Sequence, residues 1–190
     1  MSSAERCEAI FQEILTLKKI RRTGWQLRGI KECESLADHA FGTAFLAMLL
    51  SSYFPELNRD KTIKMAIAHE LGECRVGDIP FPALKYFPDK SAIEKEAVSD
   101  MMTPLGKSGS DFIELFNEFE DGKTKEAKFV KAVDKLEMLL TASEYEKNGW
   151  RGLEDFWQNN STFSVFSPFP MIEEIALKLK TKHREGKKIQ

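Results

Sequence analysis

Apolar residues recur at three- and four-residue intervals along nearly all of this chain. No stretch alternates polar and apolar long enough to found a sheet. That periodicity restricts the fold to packed helices, and caps and breakers mark their ends. Ser2 with Glu5 forms a capping box ahead of Ile10, Phe11, Ile14, Leu15 and Leu17, which predicts a first helix to about Ile20. Ser35 with Asp38 caps a second helix, ended by Pro55, and a third is predicted from about Asp60 to Glu73. Beyond a proline-punctuated loop, Ser91 with Glu94 caps a fourth helix that stops near Pro104. A short fifth runs from Ser110 to Asp121-Gly122, and the longest from Thr124 to Asn148 with Gly149 as its C-cap. The last is predicted from near Pro168 to about Lys182, leaving 183–190 as a frayed tail. "STFSVF" is the sole strand candidate and is too short to found a sheet. The expectation is one all-α domain over residues 1–190, with about seven helices.

At 190 residues the chain is long enough to bury a core without staples. A formal net charge of −2 gives no electrostatic reason to expect nucleic acid or a membrane surface as partner. The basic run "KLKTKHREGKK" is read as a solvated helix end, with His183 on the surface. Three cysteines, Cys7, Cys33 and Cys74, form no C-x-x-C pair and leave an odd count, which points to a reducing cytoplasm. The N-terminus has no signal-peptide pattern, and no apolar run approaches the ~18 residues of a membrane span.

Against this background a few polar residues stand out. "AHELGEC", 68–74, follows the apolar "IKMAIA" and brings His69, Glu70 and Glu73 into little more than one turn. His39 lies in the first turns of the second helix, and Asp134 interrupts the apolar face of the longest one. Each alone could be a buried polar group satisfied by a neighbour. Together, two imidazoles and two carboxylates on three helices make a typical ligand set for a divalent transition ion. On a continuous helix His69 and Glu70 would be about 100° apart and Glu73 about 40° from His69, beside the ion. A carboxylate there can orient or deprotonate a water.

At these residues the chain resembles the HD-domain metal-dependent phosphohydrolases, whose signature H…HD…D reads here as His39, His69-Glu70, Asp134. The segments "LKKIRRTGW", "ESLADHAF", "AHELGECRVGDIP" and "KAVDKLEMLL" resemble most closely the YfbR-like 5′-deoxynucleotidase branch. The resemblance implies an HD-domain helical bundle, a homodimer, and hydrolysis of deoxynucleoside 5′-monophosphates with a divalent ion such as manganese, cobalt, nickel or zinc. It implies that His39, His69, Glu70 and Asp134 are ligands and that Glu73 handles the attacking water. Asp78 would contact the sugar hydroxyl or leaving oxygen. Arg22 would hold phosphate, with Arg21 and Arg28 as competitors, and Trp25 would crowd out a 2′-hydroxyl.

Plainer readings stand beside these: Trp25 as a core anchor, Asp78 as a turn cap, Arg22 as a surface residue, Glu73 as a helix end. The family's usual aspartate is glutamate at position 70, one methylene longer. Phe156, Trp157, Phe163, Phe166 and Phe169 are read as core or dimer contact. The alternatives in function are hydrolysis of another phosphoester, a cyclic nucleotide or a triphosphate, and a non-catalytic nucleotide-binding scaffold.

Overall fold

The computed structural model describes residues 1–186. Among these, seven helices of ten residues or more carry the architecture: α1 (Ser3–Ile14), α2 (Leu36–Leu50), α3 (Arg59–Ala68), α4 (Lys90–Met102), α5 (Lys107–Asp121), α6 (Lys125–Lys147) and α7 (Pro170–Gly186). Shorter helical turns fill the connections. No strand forms among the described residues, where the one β-type contact is an isolated bridge between Arg21 and Ser35. The sequence-predicted capping boxes at Ser2 and Ser35 both close, each serine oxygen accepting from the backbone N–H three residues on. Thr124 caps α6 in the same way, and Gly122 ends α5 in the left-handed conformation at φ 62°.

Several boundaries differ from the sequence expectation. The first helix tightens into a 3₁₀ turn at Leu15–Lys18. The predicted third helix stops at Ala68, and Glu73–Val76 forms a separate short helix. The fourth begins at Lys90 without a side-chain cap, because the buried Glu94 carboxylate pairs with Lys90 at 2.5 Å instead of capping Ser91. The fifth starts at Lys107 rather than Ser110. "STFSVF" falls partly within the short helix Asn160–Ser164. Of the predicted frayed tail, residues 183–186 continue α7, and 187–190 lie outside the described residues. His183 is not a surface residue. Its ring stacks on Trp157 at 4.9 Å with Nδ1 2.8 Å from Glu146 Oε1, so an aromatic face and a carboxylate hold the last turns down.

The core is built around α6, whose Phe129, Val130, Val133 and Leu139 are wholly buried. Each such side chain contributes about 1.5–3 kcal/mol by leaving water. This helix packs against α2, α3, α5 and α7, which makes it the element least free to move. Trp157, Phe166 and Phe169 join this core as expected. A second cluster, including Ile10, Leu71, Val98, Met101 and Phe116, ties α1 and the turn after α3 to α4 and α5. Of the polar residues singled out above, His69, Glu70, Glu73 and Asp134 line a cavity of about 760 Å³ beside α6, and His39 is buried behind them.

Candidate metal centre

His39 has no exposed surface, and its imidazole is fixed from both sides. Nδ1 lies 2.6 Å from Glu137 Oε2. A carboxylate oxygen only accepts, so Nδ1 carries a proton, and whenever the ring is neutral its Nε2 lone pair turns inward. Gly42, one turn on in α2, makes this contact possible: a Cβ there would sit 2.8 Å from Glu137 Oε1. The bond thus depends on a helix position without a side chain.

His69 follows the same logic. Its Nδ1 donates to the Ala66 carbonyl at 2.7 Å, which takes up an oxygen that a continuing helix would use. The chain leaves α3 at this point and tightens, with Leu71 N–H donating to the Ala68 carbonyl and Glu73 N–H to that of Glu70. Consequently the helical-wheel angles expected over 69–73 do not apply. His69 Nε2 points at His39 Nε2 across 3.4 Å, again with a bare lone pair.

Glu70 completes the convergence. Its Oε1 is 3.2 Å from His69 Nε2 and 3.3 Å from His39 Nε2, so the longer glutamate arm still reaches both rings. One ligand atom from each of His39, His69 and Glu70 lies within 4.8 Å of the others. Asp134 Oδ1 joins through His39 Nε2 at 3.1 Å, while its Oδ2 pairs with Lys135 Nζ at 3.0 Å. With both rings neutral these atoms face one another without a donor between them, and a proton or a metal cation relieves the repulsion. The field has the same sign. Burial and Arg22 press the His39 imidazole down, yet Asp134, Glu137 and Glu70 outweigh them and hold it well above the usual histidine range. The donor set fits a divalent ion.

The remaining predicted residues line the same cavity. Arg22 Nη1 is 3.3 Å from Glu70 Oε1, and although burial opposes its charge, Glu70, Asp78, Asp134 and Glu34 keep it firmly protonated. Arg28 also lines the cavity but is committed to Asp155 and to the Gly24 carbonyl. Arg21 points elsewhere, donating to the Cys33 carbonyl. Asp78 Oδ2 accepts from the Thr23 N–H at 2.5 Å, pinning the segment that carries Arg22 and Trp25 to the loop after α3. Trp25 is a core anchor as well as a wall. It is 1% exposed, donates Nε1–H to Glu34 and stacks on Phe156 at 4.4 Å. Glu73 Oε1 meets Lys90 Nζ at 3.2 Å, and its Oε2 is buried without a hydrogen-bond partner. Burial, then Glu70 and Asp78, push this carboxyl up to about 9 against Lys90 and Arg22.

Residues 14–166 match the family described as HD domain. The chain is an HD-domain protein. Its relatives include the 5′-deoxynucleotidase HDDC2 of Mus musculus, 37% identical over 168 residues that cover 87% of this chain and 82% of that one. The protein of the same name in Dictyostelium discoideum is 37% identical over 87% of this chain and 92% of its own. A conserved hypothetical protein from Pyrococcus furiosus superposes with a TM-score of 0.78 at 33% identity, over 88% of this chain and 97% of that one.

Three features of this HD domain were not legible in the motif. Glu137, which fixes His39, sits three residues past Asp134 on the same helix, and that spacing was the available signal. Lys90, itself paired with Glu94, reaches Glu73 from α4 with no local signal at all. Phe156 was expected to be core or dimer contact, but it lines the cavity and supports Trp25. Residues 155–165 therefore contribute a wall, although they carry no recognisable motif.

Proposed function

We propose that this HD-domain protein hydrolyses deoxynucleoside 5′-monophosphates to deoxynucleoside and phosphate with a divalent transition ion. The observation that carries the reading is that His69, Glu70 and Asp134 line a cavity large enough for a nucleotide and converge there on the buried His39. Relatives named 5′-deoxynucleotidase support the substrate class.

His39, His69, Glu70 and Asp134 hold the ion, and Glu137 and the Ala66 carbonyl keep the two rings aimed. Two imidazoles with two carboxylates suit manganese, cobalt, nickel or zinc. The bound ion supplies Lewis acidity toward a phosphoryl oxygen and toward water. Glu73 would do the proton work: a cation held at Glu70 opposes the push that Glu70 exerts on the Glu73 carboxyl, and the ionised, unpartnered Oε2 then orients the attacking water and accepts a proton as the new P–O bond forms. Lys90 steadies the other oxygen. Arg22 offsets negative charge on the phosphate, and Asp78 stands toward the sugar hydroxyl and the leaving O5′, which departs with the proton that Glu73 took from the water, so that the Glu73 carboxylate is regenerated. Trp25, backed by Phe156, closes the sugar side against a 2′-hydroxyl.

We also read the protein as a cytoplasmic homodimer. From Ala40 to Tyr53 the chain has no charged residue, and Phe41, Phe45, Met48, Leu49 and Tyr53 are all exposed on α2 and the turn after it. An uncharged patch of five large apolar side chains is suited to the core of a two-fold interface, which in stable complexes covers roughly 800 Å² per partner. All three cysteines are free, in keeping with a reducing compartment. No helix among the described residues is long and apolar enough to cross a membrane.

The deciding experiment is a phosphate-release screen over ribo- and deoxyribonucleoside mono-, di- and triphosphates with each of the four ions. Release confined to 5′-monophosphates, faster with deoxyribose, is the expected result. Activity on triphosphates or cyclic nucleotides alone sinks the substrate assignment, and no activity with any ion sinks the enzyme reading.

A further inference from the structure

Five cationic side chains line the cavity, and four of them are already committed. Arg22 meets Glu70, Arg28 meets Asp155, Lys90 meets Glu73 and Glu94, and Lys135 meets Asp134. Lys131 is different. Among the described residues no carboxylate comes within ion-pairing distance of its ammonium, which lies instead over the Phe119 ring, 4.3 Å from the centroid.

This lysine is not a waving surface group. It lies one turn before Asp134 and Lys135 on α6, half-buried. Its stem runs beneath the α5–α6 turn, so close that a Cβ on Gly122 would meet its Cε at 3.0 Å. Phe119, the ring beneath the ammonium, also packs edge-on against His69 at 5.4 Å. Lys131 and His69 are thus neighbours of one aromatic side chain. Burial holds the ammonium below the usual lysine range, and Glu120 and Asp134 offset this only in part. A partly desolvated cation without a counter-charge is unfavourable, and an anion brought in by the ligand relieves it.

Resting on the phosphohydrolase reading, we infer that Lys131 is a second phosphate-binding cation of the cavity, beside Arg22, holding a non-bridging oxygen of the substrate phosphate and of the phosphate product. Arg22, braced between Glu70 and Glu34, faces the phosphate from the Glu70 side of the site. A lysine suits this position because it offers a compact point charge with three donors, and a phosphate dianion has oxygens to spare for it.

The probe is inorganic phosphate, titrated calorimetrically into the metal-loaded full chain, beside a titration with deoxynucleoside. Lys131→Met keeps the aliphatic stem over Phe119 and removes the charge. It is expected to weaken phosphate binding about ten- to hundredfold, the loss of one charged hydrogen bond. Metal content and deoxynucleoside affinity should be unchanged, and Lys131→Arg should bind phosphate within a few-fold of the unmodified protein. Lys131→Gln serves as the second neutral variant if the methionine protein does not fold. Phosphate binding that is equal with and without the charge overturns the assignment, as does metal lost in parallel. A protein that binds phosphate through Lys131 yet releases none from nucleotides removes the proposed substrate and leaves this subsite standing.

Discussion

Gly42→Ala probes the support of the metal centre without touching a ligand. By helix propensity alone the change should stabilise α2 by about 1 kcal/mol. The structure reverses the sign. The new Cβ would lie 2.8 Å from Glu137 Oε1, 3.1 Å from its Cγ and 3.3 Å from its Cδ, too close for all three. The α2 backbone cannot retreat, because Ala40, Thr43 and Ala47 are buried against the core. Glu137 must therefore swing away. It then gives up the 2.6 Å bond to His39 Nδ1 and the 3.1 Å bond from Thr141 Oγ1. Losing a charged hydrogen bond inside the protein costs about 1.5–3 kcal/mol, and the neutral one adds about 1. Set against the propensity gain, the net destabilisation is about 1.5–3 kcal/mol, or roughly 3–12 °C in melting temperature for a chain of this size. His39 also loses the group that fixes its tautomer, and orienting partners of this kind are typically worth about 10–100-fold in metal affinity. The assays are a thermal melt and a competition titration with manganese or cobalt. If Gly42→Ala melts higher and binds the ion as tightly as the unmodified protein, Glu137 does not orient His39.

Other variants test the remaining parts. Asp134→Ala should abolish phosphate release with helical circular dichroism nearly unchanged; full activity at unchanged metal stoichiometry would remove Asp134 from the ligand set. Glu73→Gln should retain the ion and lower the rate by about 10²–10⁴-fold, whereas metal lost together with activity would make Glu73 a ligand. Adding a binding ion at a hundred times its Kd should stabilise the fold by about 2.7 kcal/mol, and no melting shift with any of the four ions counts against the centre. Trp25→Ala should lower stability by about 3–5 kcal/mol, since it empties a buried site. It should also narrow the kcat/KM gap between deoxyribo- and ribonucleotides, and an unchanged ratio would confine Trp25 to packing. Phe45→Glu should convert the dimer to monomer in sedimentation, and an unshifted sedimentation coefficient would place the contact elsewhere.

Local chemistry was enough to determine much of this protein. Helical periodicity, the capping boxes at Ser2 and Ser35, and the glycines at 122 and 149 depend on residues within a turn of one another, so the seven long helices were readable in advance. His39, His69, Glu70 and Asp134 stood out because polar side chains on apolar faces need partners, whatever the fold. The tertiary structure decided what the spacing could not. The break after Ala68 arises because His69 claims the Ala66 carbonyl, which replaces a regular helical angle with a turn and separates Glu73 from the wheel position it was expected to hold. Glu137 reaches His39 across 98 positions of sequence, and Lys90 reaches Glu73 across 17. Neither contact leaves a mark on the local pattern. Phe156 and the rest of the 155–165 wall have no motif, because their part in the cavity follows only from where the packing of the C-terminal segment places them. Lys131 reads as one more solvated lysine until the fold sets it over Phe119 with no carboxylate in reach. Helices are specified by neighbours in the chain; a charge balance inside a cavity is specified by neighbours in space.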